Sequence, residues 1–271
     1  MTTQLSPHHK HHPMDTCLLK LASKTSPLLP HVTPLPFPPW SLTWEDYPGH
    51  LFIIHKSHSE DNKKEAALHL REIHTYDNLP DHILVYTDGS TIHREESSYL
   101  GAGWVGFHRC VEVFTGTLPL GNKVTIFDAK LTTLKRALGA ASRYATTHQI
   151  SHIHVFCDNQ AAIQSPFSTN PPKLSCLQAV SACQRIIDFL DTLPTHHIYI
   201  HWVPSHKNIP GNDWVDGLAK NAAATAYCIL NTAPSFTFEL LCHRKTTTEI
   251  WKHQHMWHHQ LNPHSLFTVI D

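Results

Sequence analysis

Three short apolar runs rich in β-branched and aromatic residues set the terms for any fold: HILVYTD (82–88), HIHVFCD (152–158) and HIYIHWV (197–203). Each is too short for a helix and reads as a buried strand. Between the first two, YLGAGWVGF and CVEVFTGTL flank a short His108–Arg109 link, which predicts an antiparallel hairpin. Residues 124–145 then carry Ile126, Leu131, Leu134, Leu138, Ala141 and Ala145 on one helical face. PPKLSCLQAVSACQRIIDFL reads as a long helix between the second and third runs, and PGNDWVDGLAKNAAATA as a last helix with a Pro-Gly-Asn entry. The order β-β-β-α-β-α-β-α predicts an α/β architecture: a mixed five-stranded sheet, three antiparallel strands and then parallel ones, flanked by helices.

The flanks read differently. Seven of the 19 prolines fall between Pro27 and Pro48, so residues 1–50 read as an extended or disordered Pro/His-rich segment rather than a packed unit. Residues 51–81 read as a linker with one short helix, because EDNKKEAALHLREIHTY (60–76) places Ala67, Leu70 and Ile73 at helical spacing. The folded domain is expected over 82–225. Residues 226–271 read as a tail whose one candidate element is a short helix around Glu249–Gln260. His255 and His259 stand there at i, i+4, and His8–His12 cluster near the start. No carboxylate or cysteine completes a ligand set in the C-terminal stretch, so an amphipathic tail helix is the plainer reading there, and a solvated polar terminus is the plainer reading of His8–His12.

Composition narrows the function classes. Lys and Arg number 21 against 22 Asp and Glu, so no global basic field marks a nucleic-acid binder. Histidine is the anomaly, at 26 residues. With an ordinary pKa of about 6.5, these groups would add on the order of a dozen positive charges at mildly acidic pH, making affinity for an anionic partner pH-sensitive. The seven cysteines are spread out with no C-x-x-C pair, which argues for reduced thiols. No apolar run approaches the roughly 18 residues of a membrane helix, and MTTQLSPHHKHHPMD lacks a signal-peptide core. A soluble intracellular protein is expected, without a choice between cytoplasm and nucleus.

Three aspartates stand where distant segments can converge: Asp88 ends the first strand in YTDGS, Asp158 ends another in VFCDNQAAI, and Asp216 lies early in the last helix in GNDWVDGLAK. Alone, each reads more readily as a turn former or a helix-dipole partner than as a functional group. Together they can line an oxygen-rich pocket for hard divalent cations.

That joint context resembles the ribonuclease H type 1 family over about residues 82–225. The most specific stretch is HWVPSHKNIPGNDWVDGLAK, which matches the family pattern at Trp202, Val203, Pro204, His206, Gly211, Asn212, Asp216, Leu218 and Ala219. The PPW segment and the helix after it resemble the region preceding this domain in reverse-transcriptase polyproteins of non-LTR retrotransposons. The resemblance implies an RNase H-like sheet, RNA–DNA hybrid as partner, and two-metal hydrolysis of the RNA strand. Two Mg²⁺ (or Mn²⁺) ions about 3.5–4 Å apart would activate water and stabilise the leaving oxygen. By motif position Asp88 would bridge both ions, Asp158 would hold the ion near the leaving group, and Asp216 the ion near the water. His206 would serve proton transfer and product release.

One position departs from the pattern. The family carries a fourth acid, a Glu, in the first turns of the helix after the third strand, where this chain has Lys130 in FDAKLTTLKRAL. Asp128 lies two residues earlier and could substitute only if the helix start were rotated or unwound. A unit charge about 5 Å from a divalent ion, at an effective dielectric of about 20, interacts by roughly 7 kcal/mol. Lysine reverses the sign, although a long side chain can swing into solvent and escape much of the penalty. Poor occupancy of one metal and severely weakened hydrolysis follow. Residues 82–225 carry 11 basic and 10 acidic side chains, so phosphate contacts must come from local clusters such as Lys135–Arg136. Trp104 and Trp202 lie within apolar strands and read as core. Two functions remain open: a weakened hybrid-specific endoribonuclease, or a non-catalytic nucleic-acid- or protein-binding remnant of a retrotransposon polyprotein. Ser205 and Asn208, where the family usually has glycines, are the next positions at which activity could have been lost.

Overall fold

The computed structural model describes residues 47, 49–54, 62–167, 176–228 and 234–261. The Pro-rich segment and the His8–His12 cluster lie outside these residues, as do the side chains of His255, His258 and His259. Strands β1 (Leu51–Ile54), β2 (His82–Arg94), β3 (Ser97–His108), β4 (Val111–Gly121), β5 (His152–Cys157) and β6 (His197–Trp202) form one sheet in the order β1-β6-β5-β2-β3-β4. The β2-β3-β4 meander is antiparallel, whereas β1, β6, β5 and β2 run parallel. The sheet therefore has six strands where the sequence predicts five. The extra one comes from the stretch read as a linker. LFII pairs with β6 nearly 150 residues later, and four residues of edge strand carry too little local pattern to announce themselves.

Helices cover both faces. The odd-numbered side chains of β2 and β5 (Ile83, Val85, Ile153, Val155) pack with Ile198 and Ile200 of β6 against α2 (Ile126–His148) and α4 (Cys176–Leu190). The even-numbered ones (Leu84, Tyr86, Phe156) meet α1 (Asn62–Asp77) and α5 (Pro210–Thr225). This alternation is what period-two strands with both faces covered require. The hairpin between β3 and β4 turns through Arg109 and Cys110, both at positive φ (53° and 60°), the backbone of a type I′ turn. A short α3 (Gln160–Gln164) follows β5, and the region read as a tail forms one long helix, α6 (Phe236–Leu261).

Candidate active site

Parallel strands end on the same side of a sheet, so Asp88 within β2 and Asp158 just past β5 emerge as neighbours at one edge of the central layer. Helix α5 adds Asp216, and the β6–α5 turn adds Ser205 and His206. Together with Lys130, Asn212 and Lys220 these residues line a single open pocket of about 230 Å³. The turn is shaped by left-handed backbone at His206 (φ 53°) and Asn208 (φ 57°). Asparagine tolerates that region far better than most side chains, so Asn208 can hold the conformation that the family's glycine would.

At the centre lies Lys130. Its ammonium donates to Asp88 Oδ1 at 2.7 Å and to Asp158 Oδ1 at 2.5 Å, with all three side chains at most 13% exposed. The swing into solvent that is open to a lysine side chain is not taken here. Two carboxylates facing each other without a cation repel, and a long flexible cation on the adjacent helix turn relieves that repulsion. Burial works against the Lys130 ammonium, but Asp88 and Asp158 outweigh it and hold its pKa above the ordinary lysine range. Asp88 is shifted upward by burial, with Lys130 opposing the shift and Asp158 adding to it. Its Oδ1 also accepts from the Gly89 amide at 2.8 Å.

Asp128, the possible substitute acid, is not among the residues that line the pocket. Thr125 caps α2 and Asp128 closes a capping box, its Oδ2 accepting from the Thr125 amide (3.0 Å) and hydroxyl (2.7 Å). Ser235 Oγ donates to the same oxygen at 2.7 Å and Thr237 Oγ1 to Oδ1 at 3.0 Å, so the buried carboxylate is fully engaged with the segment leading into α6. The same cap anchors the helix start that aims Lys130 at the pocket.

Sequence reasoning missed three supports. Asn212 is buried on the pocket wall, and its Oδ1 has no protein partner. It stood in the matched motif, but nothing there marked its carbonyl as an orphan acceptor. Lys220 donates to Asp216 Oδ2 at 2.6 Å, an i,i+4 pair that could have been found by helical spacing alone. Trp202 donates its indole N–H to the Asp158 carbonyl at 3.0 Å, so a residue read only as core also fixes the loop that carries an acid. Lys135 and Arg136 lie away from this pocket. With Arg143, Arg185, Gly139 and Trp104 they line a second cavity of about 110 Å³. Burial and the neighbouring Arg136 and Arg185 charges depress the Lys135 pKa.

The family's pair of divalent ions does not fit the donors as they stand. All three carboxylates already bind an ammonium, Asp88 and Asp158 that of Lys130 and Asp216 that of Lys220, and among the described residues no fourth carboxylate lines the pocket.

No curated protein matches this chain. Among solved structures, the RNase H1 from the halophilic archaeon Halobacterium salinarum NRC-1 aligns at 22% identity and TM-score 0.39, over 54% of this chain and 99% of that one. LC11-RNase H1, isolated from compost by a metagenomic approach, aligns at 20% identity and TM-score 0.42, over 54% and 98%. The prototype foamy virus RNase H domain aligns at 20% identity and TM-score 0.39, over 53% and 94%. The RNase H family profile matches residues 80–224, more than half of the 271 residues. The chain therefore belongs to the RNase H family.

Proposed function

We propose that this protein binds RNA–DNA hybrids through an RNase H domain in which the Lys130 ammonium stands in for a divalent cation, leaving hydrolysis severely weakened. The observation that carries this reading is the double contact of Lys130 with Asp88 and Asp158, at 2.7 and 2.5 Å. Hydrogen bonds to charged groups contribute roughly 1.5–3 kcal/mol each, so a metal ion must overcome a few kcal/mol to displace the lysine. That corresponds to between about two and four powers of ten in affinity. The lysine cannot replace the metal's chemistry. An ammonium supplies charge, but it offers no coordination sphere in which to lower the pKa of a bound water.

Charge alone still matters for binding. Uncompensated, Asp88, Asp158 and Asp216 would repel the phosphate backbone of an incoming duplex. Lys130 and Lys220 offset two of those three charges, so a hybrid can approach without added metal. Lys135 and Arg136, with Arg143 and Arg185 beside them, are suited to backbone phosphates away from the pocket. A complex of LC11-RNase H1 with an RNA/DNA hybrid is known, which is consistent with this partner class.

Fluorescence anisotropy of a labelled hybrid tests the reading. Wild type is expected to bind with an affinity that changes less than about threefold between EDTA and Mg²⁺. Lys130→Glu, with four acids, is expected to lose about tenfold or more in EDTA and to recover with Mg²⁺. Failure of wild type to bind in both conditions, or a metal requirement equal to the variant's, would overturn the proposal.

A further inference from the structure

Strands β2, β5 and β6 all begin with histidine, and their parallel register sets His82 beside His152 and His152 beside His197 in one row. The rings stack, with centroids 4.2 Å apart for His82–His152 and 4.6 Å for His152–His197. This row lies at the start of the strands, whereas Asp88 and Asp158 lie six residues further on, about 20 Å away at 3.3 Å per residue. Just before β2, Asp81 directs both carboxylate oxygens at the row. Oδ1 is 3.8 Å from His82 Nε2, and Oδ2 is 3.7 Å from His152 Nε2. One ligand atom from each residue lies within 4.8 Å of the other two.

We propose that Asp81, His82 and His152 form a binding site for a borderline divalent transition-metal cation such as Zn²⁺, separate from the acidic pocket. Two imidazoles and a carboxylate suit Zn²⁺ rather than Mg²⁺, which prefers oxygen donors. In a tetrahedron with bonds of about 2.0–2.1 Å, neighbouring ligand atoms sit about 3.3 Å apart. The observed 3.7 and 3.8 Å exceed this by a few tenths of an ångström, and because the His82 and His152 rings stack within 12° of parallel, both must also tilt before their in-plane lone pairs meet at one ion.

The surroundings already have the form that metal histidines need. His82 Nδ1 lies 2.9 Å from His154 Nε2, and His154 Nδ1 lies 3.1 Å from His201 Nε2. Each neutral imidazole in this chain carries one proton. If the protons point inward, His82 Nε2 is a bare lone pair facing a carboxylate, two acceptors that a cation reconciles. If they point outward, His82 Nε2–H is 3.8 Å from the nearest Asp81 oxygen, too far for a hydrogen bond. In neither arrangement does His82 satisfy Asp81 directly. An imidazole fixed by a hydrogen bond at its far nitrogen is the usual outer shell of a ligating histidine. The Asp81 backbone is held too, its carbonyl accepting from the Ser151 and His152 amides at 3.1 and 3.0 Å. The Asp81 side chain is 44% exposed, which leaves room for entry and for a water as fourth ligand. An ion here would clamp together the first residues of β2 and β5.

Zn²⁺ titration of the full chain by calorimetry, with melting temperature read in parallel, tests the site. The terminal histidine clusters supply a background, so the readout is the difference between wild type and two variants, His152→Gln and Asp81→Asn. Wild type is expected to bind one more Zn²⁺ than either variant, or that equivalent at least tenfold more tightly. Its melting temperature should rise with Zn²⁺ by an increment that both variants lose. Co²⁺-loaded wild type should show a visible d–d band of low coordination number that the variants lack. Equal stoichiometry, affinity and melting shift in wild type and Asp81→Asn would overturn the proposal. Asp81 lies outside the strands, so its variant decides the question even if His152→Gln disturbs the stacked row.

Discussion

Within the acidic pocket the Lys130 ammonium bridges Asp88 and Asp158. Lys130 is the second residue after Asp128, and the two diverge because a capping box ties Asp128 back to Thr125 while the helix turn aims Lys130 at Asp88 and Asp158. The departure from four acids was legible in the motif, since Lys130 falls on the expected glutamate. Its direction was not, because a sequence does not say whether a long cation leaves a cluster of acids or joins it. The same limit hid the engagement of Asp128, whose partners Ser235 and Thr237 are over a hundred residues away. Asp128→Ala removes an N-terminal cap partner and leaves those two hydroxyls without their acceptor. It is expected to cost about 1–3 kcal/mol, read as a lower melting temperature, with no change in hybrid cleavage in a Lys130→Glu background. A loss of cleavage there would return Asp128 to the site.

At the level of elements, the motif-bearing helix α5 is held against the sheet by small residues. A Cβ at Gly101 of β3 would lie 2.2 Å from the Ala223 amide nitrogen and 2.4 Å from the Ala219 carbonyl oxygen. Both are backbone atoms, so the helix itself must move. Gly101→Ala is therefore expected to destabilise by roughly 2–4 kcal/mol in chemical denaturation and to shift Asp216 away from Asp88. A wild-type midpoint in that variant would contradict the packing described. Elements with strong local periodicity were legible: the strands that begin at His82, His152 and His197, the amphipathic α2, and the hairpin. The hairpin link appeared as His108–Arg109, whereas the turn residues are Arg109 and Cys110, because neither is the Asn or Gly that usually marks a type I′ turn. β1 escaped notice because its support comes almost wholly from β6.

At the scale of the whole molecule, part of the histidine composition bears on stability, because among the described residues some of these side chains are buried. His69, His154 and His201 are buried, and burial lowers their pKa values to about 4, about 2 and about 3. The unfolded chain takes up these three protons as pH falls through about 6.5, whereas the folded chain does not, so stability is present above that pH and is lost below it. With all three contributing, the slope approaches about three protons, on the order of 4 kcal/mol per pH unit. The melting temperature is expected to fall steeply between pH 6.5 and about 4, and replacing His154 with Gln should flatten the fall by about one proton. A profile flat across that range would show that these imidazoles ionise in place. The composition suggested a pH-dependent surface field, but burial withdraws these imidazoles from it. The most direct test of the proposal that a lysine occupies the place of a catalytic cation is cleavage of a labelled RNA–DNA hybrid in Mg²⁺ by wild type and by Lys130→Glu. Wild type is expected to cut slower than the variant by roughly a thousandfold or more, whereas equal turnover would contradict the account.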